Sequence, residues 1–123
     1  MKAASLLLTA VVLSACGTKD ATDPKIVSAQ AAADAAAAAY AACVDRAAKA
    51  LDPASDQPAR LTDLAMKACR AERATTVAKV LAAELSRGGD DVIAREVAER
   101  SVRVADSELR ERANTAIVQA RLK

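Results

Sequence analysis

The chain has 123 residues, with 18 basic against 16 acidic side chains, no histidine, tryptophan or phenylalanine, and a single tyrosine, Tyr40. Near-neutral charge and one aromatic ring exclude a dedicated nucleic-acid or anionic-membrane surface, which needs a cationic stripe or a stacking platform. Alanine dominates; alanine, leucine, arginine and glutamate are all strong helix formers, and strand-like alternation of β-branched residues is missing, so the composition points to an all-α chain.

The first element is a short apolar run. Lys2 supplies a positive start, and Ala3 to Leu13 is about 11 residues long, which fits the charged and apolar regions of a secretory signal. A spanning helix needs roughly 20 apolar residues, so this run is too short, and no second run able to cross a bilayer is expected after it. The segment Leu13-Ser14-Ala15-Cys16, followed by Gly17, resembles the lipobox of bacterial lipoproteins: leucine, two small residues and cysteine. The resemblance implies diacylglycerol on the Cys16 thiol, cleavage after Ala15, and often acylation of the new amine. Two or three acyl chains suit the physics, because each buried methylene contributes about 0.8 kcal/mol and one chain holds only marginally. It also implies an envelope location, and with Gly17 beside the cysteine, the periplasmic face of the outer membrane if the cell is Gram-negative. The other reading is an ordinary secretory signal that ends at a cysteine, for which Ala-Cys-Gly is a poorer cleavage site.

On this division, residues 1–15 are a cleaved signal, 16–23 a lipid-anchored tether, and 24–123 a single α-helical domain. Loss of Lys2 with the signal leaves 17 basic and 16 acidic residues. Gly17 to Thr22 reaches at most about 20 Å when extended, so the folded part sits close to the membrane. Asp23-Pro24 reads as an N-cap and first helical residue, and the helix should run over 24–51 until Asp52-Pro53 stops it. The loop is "DPASDQP", Asp52 to Pro58. A second helix is expected over 59–86, with Thr62-Asp63 as a rival start and Gly88-Gly89 as the stop. Asp90-Asp91 then opens a third helix over about 90–122.

In the first helix Ile26, Gln30, Ala33, Ala37, Tyr40, Val44, Ala47 and Leu51 follow a heptad seam. In the third, Val102, Ala105, Leu109, Ala113, Ala116 and Ala120 form a similar stripe. Five acids precede a base by four residues there: Asp91/Arg95, Glu96/Arg100, Glu99/Arg103, Asp106/Arg110 and Glu108/Arg112. Each such pair contributes about 0.2–0.5 kcal/mol, and the face that carries them reads as solvated. The second helix is less regular, because Glu72 and Arg73 interrupt its apolar positions. Similar lengths and short breaks favour an antiparallel hairpin with the third helix packed along it, a three-helix arrangement with a thin, alanine-rich core.

Cys43 and Cys69 offer a reinforcement. Cys43 lies eight residues before Leu51 and Cys69 eight after Leu61, so a hairpin sets them side by side. In an oxidising envelope compartment they would form a disulfide; the alternative is two buried free thiols acting as small apolar groups. Two cysteines without histidine cannot complete a zinc site, and their spacing is unlike a redox Cys-x-x-Cys. No nucleophile–base pair or phosphate loop appears, so neither an enzyme nor a cofactor is expected. Two binding readings remain. "YAACVDRAAKAL…LAMKACRAER" resembles small helical envelope proteins with one cysteine on each of two helices, which implies a non-catalytic interaction module for another envelope protein. The ending "QARLK" is similar to that of the major murein lipoproteins, which implies a structural link from Lys123 to peptidoglycan. The sequence sets no oligomeric state.

Overall fold

Asp23 and Pro24 begin the first helix as their chemistry requires: the Asp23 carboxylate accepts the Lys25 N–H at 2.9 Å, and proline occupies a position that needs no donor. The computed structural model describes residues 22–123, so the signal-like run, Cys16 and the tether before Thr22 lie outside the described residues. Helix α1 spans Pro24–Ala50. The chain then turns on Asp52, whose carboxylate accepts the Ala54 N–H and whose carbonyl accepts the Ser55 N–H. Helix α2 covers Pro58–Ala68, α3 Arg70–Ser86 and α4 Asp91–Arg121. Outside these four helices the described residues are turns and loops.

The expected second helix over 59–86 is therefore two helices. The break is confined to Cys69, at φ −105° and ψ 25°, whose N–H closes back onto Met66 while its carbonyl accepts from Arg73. A tight three-residue closure there shifts the helical register by one position, at the residue whose sulfur reaches towards α1. Thr62 is not a cap: it is buried, and its hydroxyl donates to the Pro58 carbonyl at 2.8 Å. At the far end of α3, Gly88 takes φ +83°, the left-handed value that glycine adopts without strain. Asp90 then caps α4 by accepting from the Val92 and Ile93 N–H groups.

Long-range bonds fix the helix directions. Tyr40 meets Asp106, Asp45 meets Arg112, and the Pro53 carbonyl meets Arg121, so α4 runs parallel to α1. The Thr76 hydroxyl donates to the Ala36 carbonyl, and Arg87 donates to Gln30, so α3 returns antiparallel to both. Pro24, Ser86 and Asp91 thus share one end of the bundle, and Ala50, Pro58 and Arg121 share the other, about 40 Å away along α1.

The core is uneven along that length. Near the Asp52 loop, Tyr40, Val44, Leu61, Leu109 and Ile117 pack around Cys69. Towards the other end, Ile26 and Thr76 are buried among Ala33, Ala83, Ala94 and Ala98, small side chains that permit close backbones but remove little apolar area from water. The seams also shift from their expected positions. On α1, Ile26, Ala33, Tyr40 and Val44 are buried and Ala48 joins them, Ala47 and Leu51 pack half-buried against the core, and Ala37 is exposed. On α4 the buried row is Ala94, Ala98, Val102, Leu109, Ala113 and Ile117, and Ala116 and Ala120 face solvent. Helices with neighbours on two sides follow the 3.6-residue period rather than a strict heptad.

By length and composition alone α1 could also cross a membrane, with a mean hydropathy of 1.2 over its most apolar window, contrary to the expectation that no second segment would. That apolarity is mostly alanine, and Ile26, Tyr40 and Val44 of α1 are buried within the bundle.

The Cys43 and Cys69 sulfurs lie 2.07 Å apart, bonding distance for a disulfide, with Cα atoms 5.9 Å apart. Reduction of this pair should lower the unfolding free energy by about 3–4 kcal/mol, the chain-entropy value for a loop of this length. Urea titrations followed by helical circular dichroism, with and without reductant, measure it.

Candidate functional site

The most polar point inside the bundle is built from three helices. Tyr40, on α1, is 1% exposed and would cost free energy there if its hydroxyl lacked a partner. It donates to Asp106 Oδ1 on α4 at 2.8 Å. Arg73, on α3, donates from Nε to Asp106 Oδ2, also at 2.8 Å, and extends Nη2 to within 3.9 Å of Glu99. One carboxylate is therefore held at both oxygens by donors from two other helices. The adjacent Cys43–Cys69 pair joins α1 to the α2–α3 break.

Protonation follows from this geometry. Burial, then the hydrogen bond to Asp106 and its negative charge, push the Tyr40 hydroxyl well above the usual tyrosine range. The hydrogen bond to Asp106 likewise raises the Arg73 guanidinium, against the opposing effect of its burial. A phenol that keeps its proton so firmly offers no base or nucleophile near neutral pH. The three residues can hold helices and present a surface.

That surface is an open groove of about 670 Å³ with Tyr40, Arg73 and Asp106 at its inner wall. Leu64, half-exposed on α2, and Met66 give it apolar character, and Arg60, Lys67 and Arg110 add positive charge along the rim. Asp56 and Asp63 stand opposite, the first near Arg60 and the second bonded to Arg110. Four basic residues thus line the groove with three acidic ones, beside an uncovered leucine.

The charged face of α4 is correspondingly less solvated than its spacing suggests. Asp91/Arg95 and Glu96/Arg100 do pair along the helix. But Asp106 and Glu99 engage Arg73 on α3, Arg110 reaches Asp63 on α2, and Arg112 makes a two-pronged contact with Asp45 on α1. These α4 side chains sit on flanks that face other helices, so the nearer partner lies across the interface.

Of the residues singled out in the sequence, Cys43 and Cys69 are brought together, and Cys16 lies outside the described residues. Lys123 is exposed just past α4, at the end of the bundle opposite Pro24. Glu72 brings a carboxylate oxygen within 4.8 Å of both cysteine sulfurs, the one trio among the described residues with metal-ligand spacing. Sulfurs bonded to each other carry no thiolate charge, which leaves a single anionic ligand there. Asp106 and Arg73 were missed as a pair, although each interrupts an apolar row and Tyr40 needed a polar partner. No family model, curated protein or solved structure matches the chain.

Because the folded pKa of Tyr40 lies above its unfolded value near 10, the associated stability is complete below pH 10 and is lost as pH climbs towards the raised value. As Tyr40 is the only tyrosine, phenolate absorbance should stay low past pH 10 and rise together with loss of helical signal. Phenolate that appears at the ordinary tyrosine pH with helices intact is the opposing outcome. Tyr40→Phe should lessen the fall in stability across this window.

Proposed function

We propose that this chain is a lipid-anchored lipoprotein of the bacterial envelope that works without catalysis, as a helical module holding another envelope protein. The observation that carries the reading is Leu13-Ser14-Ala15-Cys16-Gly17, joined by a short polar tether to a helical bundle with two cysteines at bonding distance. The pairing of Cys43 with Cys69 suits an oxidising compartment, and the tether keeps the bundle near the lipid. In a Gram-negative cell the anchoring membrane would be the outer one.

The groove at Tyr40, Arg73 and Asp106 is the face we assign to the partner. Leu64 and Met66 supply apolar contact, and the surplus of one cation favours a partner segment that is both apolar and acidic. The high proton affinities of Tyr40 and Arg73 support a holding role over an acid–base one.

A second reading draws on the position of Lys123. Since α1 and α4 run parallel, Lys123 lies at the end of the bundle opposite Pro24, about 40 Å away along α1, which an anchored molecule would hold away from its membrane. A lysine so placed suits a link to peptidoglycan, and the chain would then be a structural tether.

Protein purified from membranes should yield an N-terminal peptide that begins at Cys16 and carries the mass of diacylglycerol with or without a third acyl chain. A different first residue, or an unmodified Cys16, rejects the anchor. A photo-crosslinking residue in place of Leu64 should capture one protein that the same residue in place of Ser101 does not, and Lys67→Glu should reduce that capture severalfold. Digested sacculi should contain a muropeptide joined to Lys123 only if the tether reading holds.

A further inference from the structure

The end of the bundle at which α1 begins carries apolar side chains that the fold leaves uncovered. Val92 and Ile93, in the first turn of α4, are 72% and 63% exposed, and Val27 and Leu85 at the same end are 53% and 39% exposed. The polar residues around them have local duties. Asp23 and Asp90 cap α1 and α4, Asp91 pairs with Arg95, and Glu84 pairs with Arg87. Val92 and Ile93 have no such duty, because α4 packs through Ala94 and Ala98. Two adjacent β-branched residues are also poor choices for an exposed first helical turn, where polar groups ordinarily sit.

The chain enters the described structure at this same end. Five residues separate Cys16 from Thr22, a reach of about 20 Å at full extension. The charges there are mixed, with Lys25, Arg87 and Arg95 near Asp23, Glu84, Asp90 and Asp91, so no single sign dominates.

We infer that this end is a lipid-contacting tip: Val92 and Ile93, with Val27 and Leu85, seat in the interfacial layer of the bilayer that holds the Cys16 lipid, and the bundle stands end-on. The inference rests on the lipid-anchor reading above. With charges mixed, the contact depends on apolar burial, takes neutral zwitterionic lipid and is insensitive to salt. So small a patch would bind weakly from solution. A short anchor holds it at high effective concentration beside the bilayer, which converts weak contact into a fixed orientation.

The absence of tryptophan from the chain makes the test direct. The chain from Cys16 to Lys123 retains every contact described above, and with Cys43 and Cys69 joined its only free thiol is Cys16. Coupling that thiol to a maleimide-bearing lipid in phosphatidylcholine vesicles supplies the anchor chemically. In the Ile93→Trp chain, coupling should move tryptophan emission to the blue and allow quenching by brominated acyl chains, at low and high salt alike. In the Leu122→Trp chain neither should occur. Unchanged Ile93→Trp emission overturns the proposal, as do equal shifts for both chains, which would mean a bundle lying flat. A shift that appears without vesicles and grows with protein concentration assigns the patch to a second copy and also overturns it. Failure of lipidation in cells would appear only in the mass of the membrane-purified protein, so the two readings fail separately.

Discussion

The Asp106 carboxylate, gripped by Tyr40 from α1 and by Arg73 from α3, is the interaction on which the bundle's register depends. Alanine seams bring helices close but say little about how far one should slide along another, because identical small side chains recur every turn. A buried hydroxyl with one correct acceptor does not allow that freedom: sliding α4 by a turn would leave the phenol unpaired in the core. The carboxylate is also partly open to the groove, so its charge is not fully desolvated and the tie avoids the heaviest cost of a buried ion pair.

The covalent tie and the polar tie divide the work by location. Cys43 and Cys69 fix α1 to the α2–α3 break, within one turn of Tyr40. Both lie in the half of the bundle that also holds the large apolar side chains. The other half is held by Ile26, alanine contacts, the Thr76–Ala36 bond and the Arg87–Gln30 bond, and is correspondingly lighter. The firm half carries the groove. The lighter half carries exposed Val27, Val92 and Ile93, at the end where α1 begins.

Much of this was legible from residues with local jobs. Asp23-Pro24, Asp52-Pro53, Gly88 and Asp90 act through their own backbone neighbourhood, so the helix ends fall within a residue or two of where those residues put them. The break at Cys69 was not legible, because a single three-residue closure leaves no proline or glycine as a mark. The buried row of α4 is hard to place from sequence because alanines occur on every side of that helix, and only Val102, Leu109 and Ile117 discriminate between faces. The role of Asp106 is hidden for a similar reason. An acid four residues before an arginine looks locally satisfied, and the competing partners, Tyr40 and Arg73, are 66 and 33 residues away in sequence.

The Asp52 loop lies inside the covalent ring that Cys43 and Cys69 close. A protease that severs the chain between Asp52 and Gln57 would open that ring without releasing either fragment. Helix α1 would stay joined to α2–α4 through sulfur, and the Tyr40–Asp106 bond would still hold it in place. A nicked molecule would keep its shape, and with it the groove to which both fragments contribute.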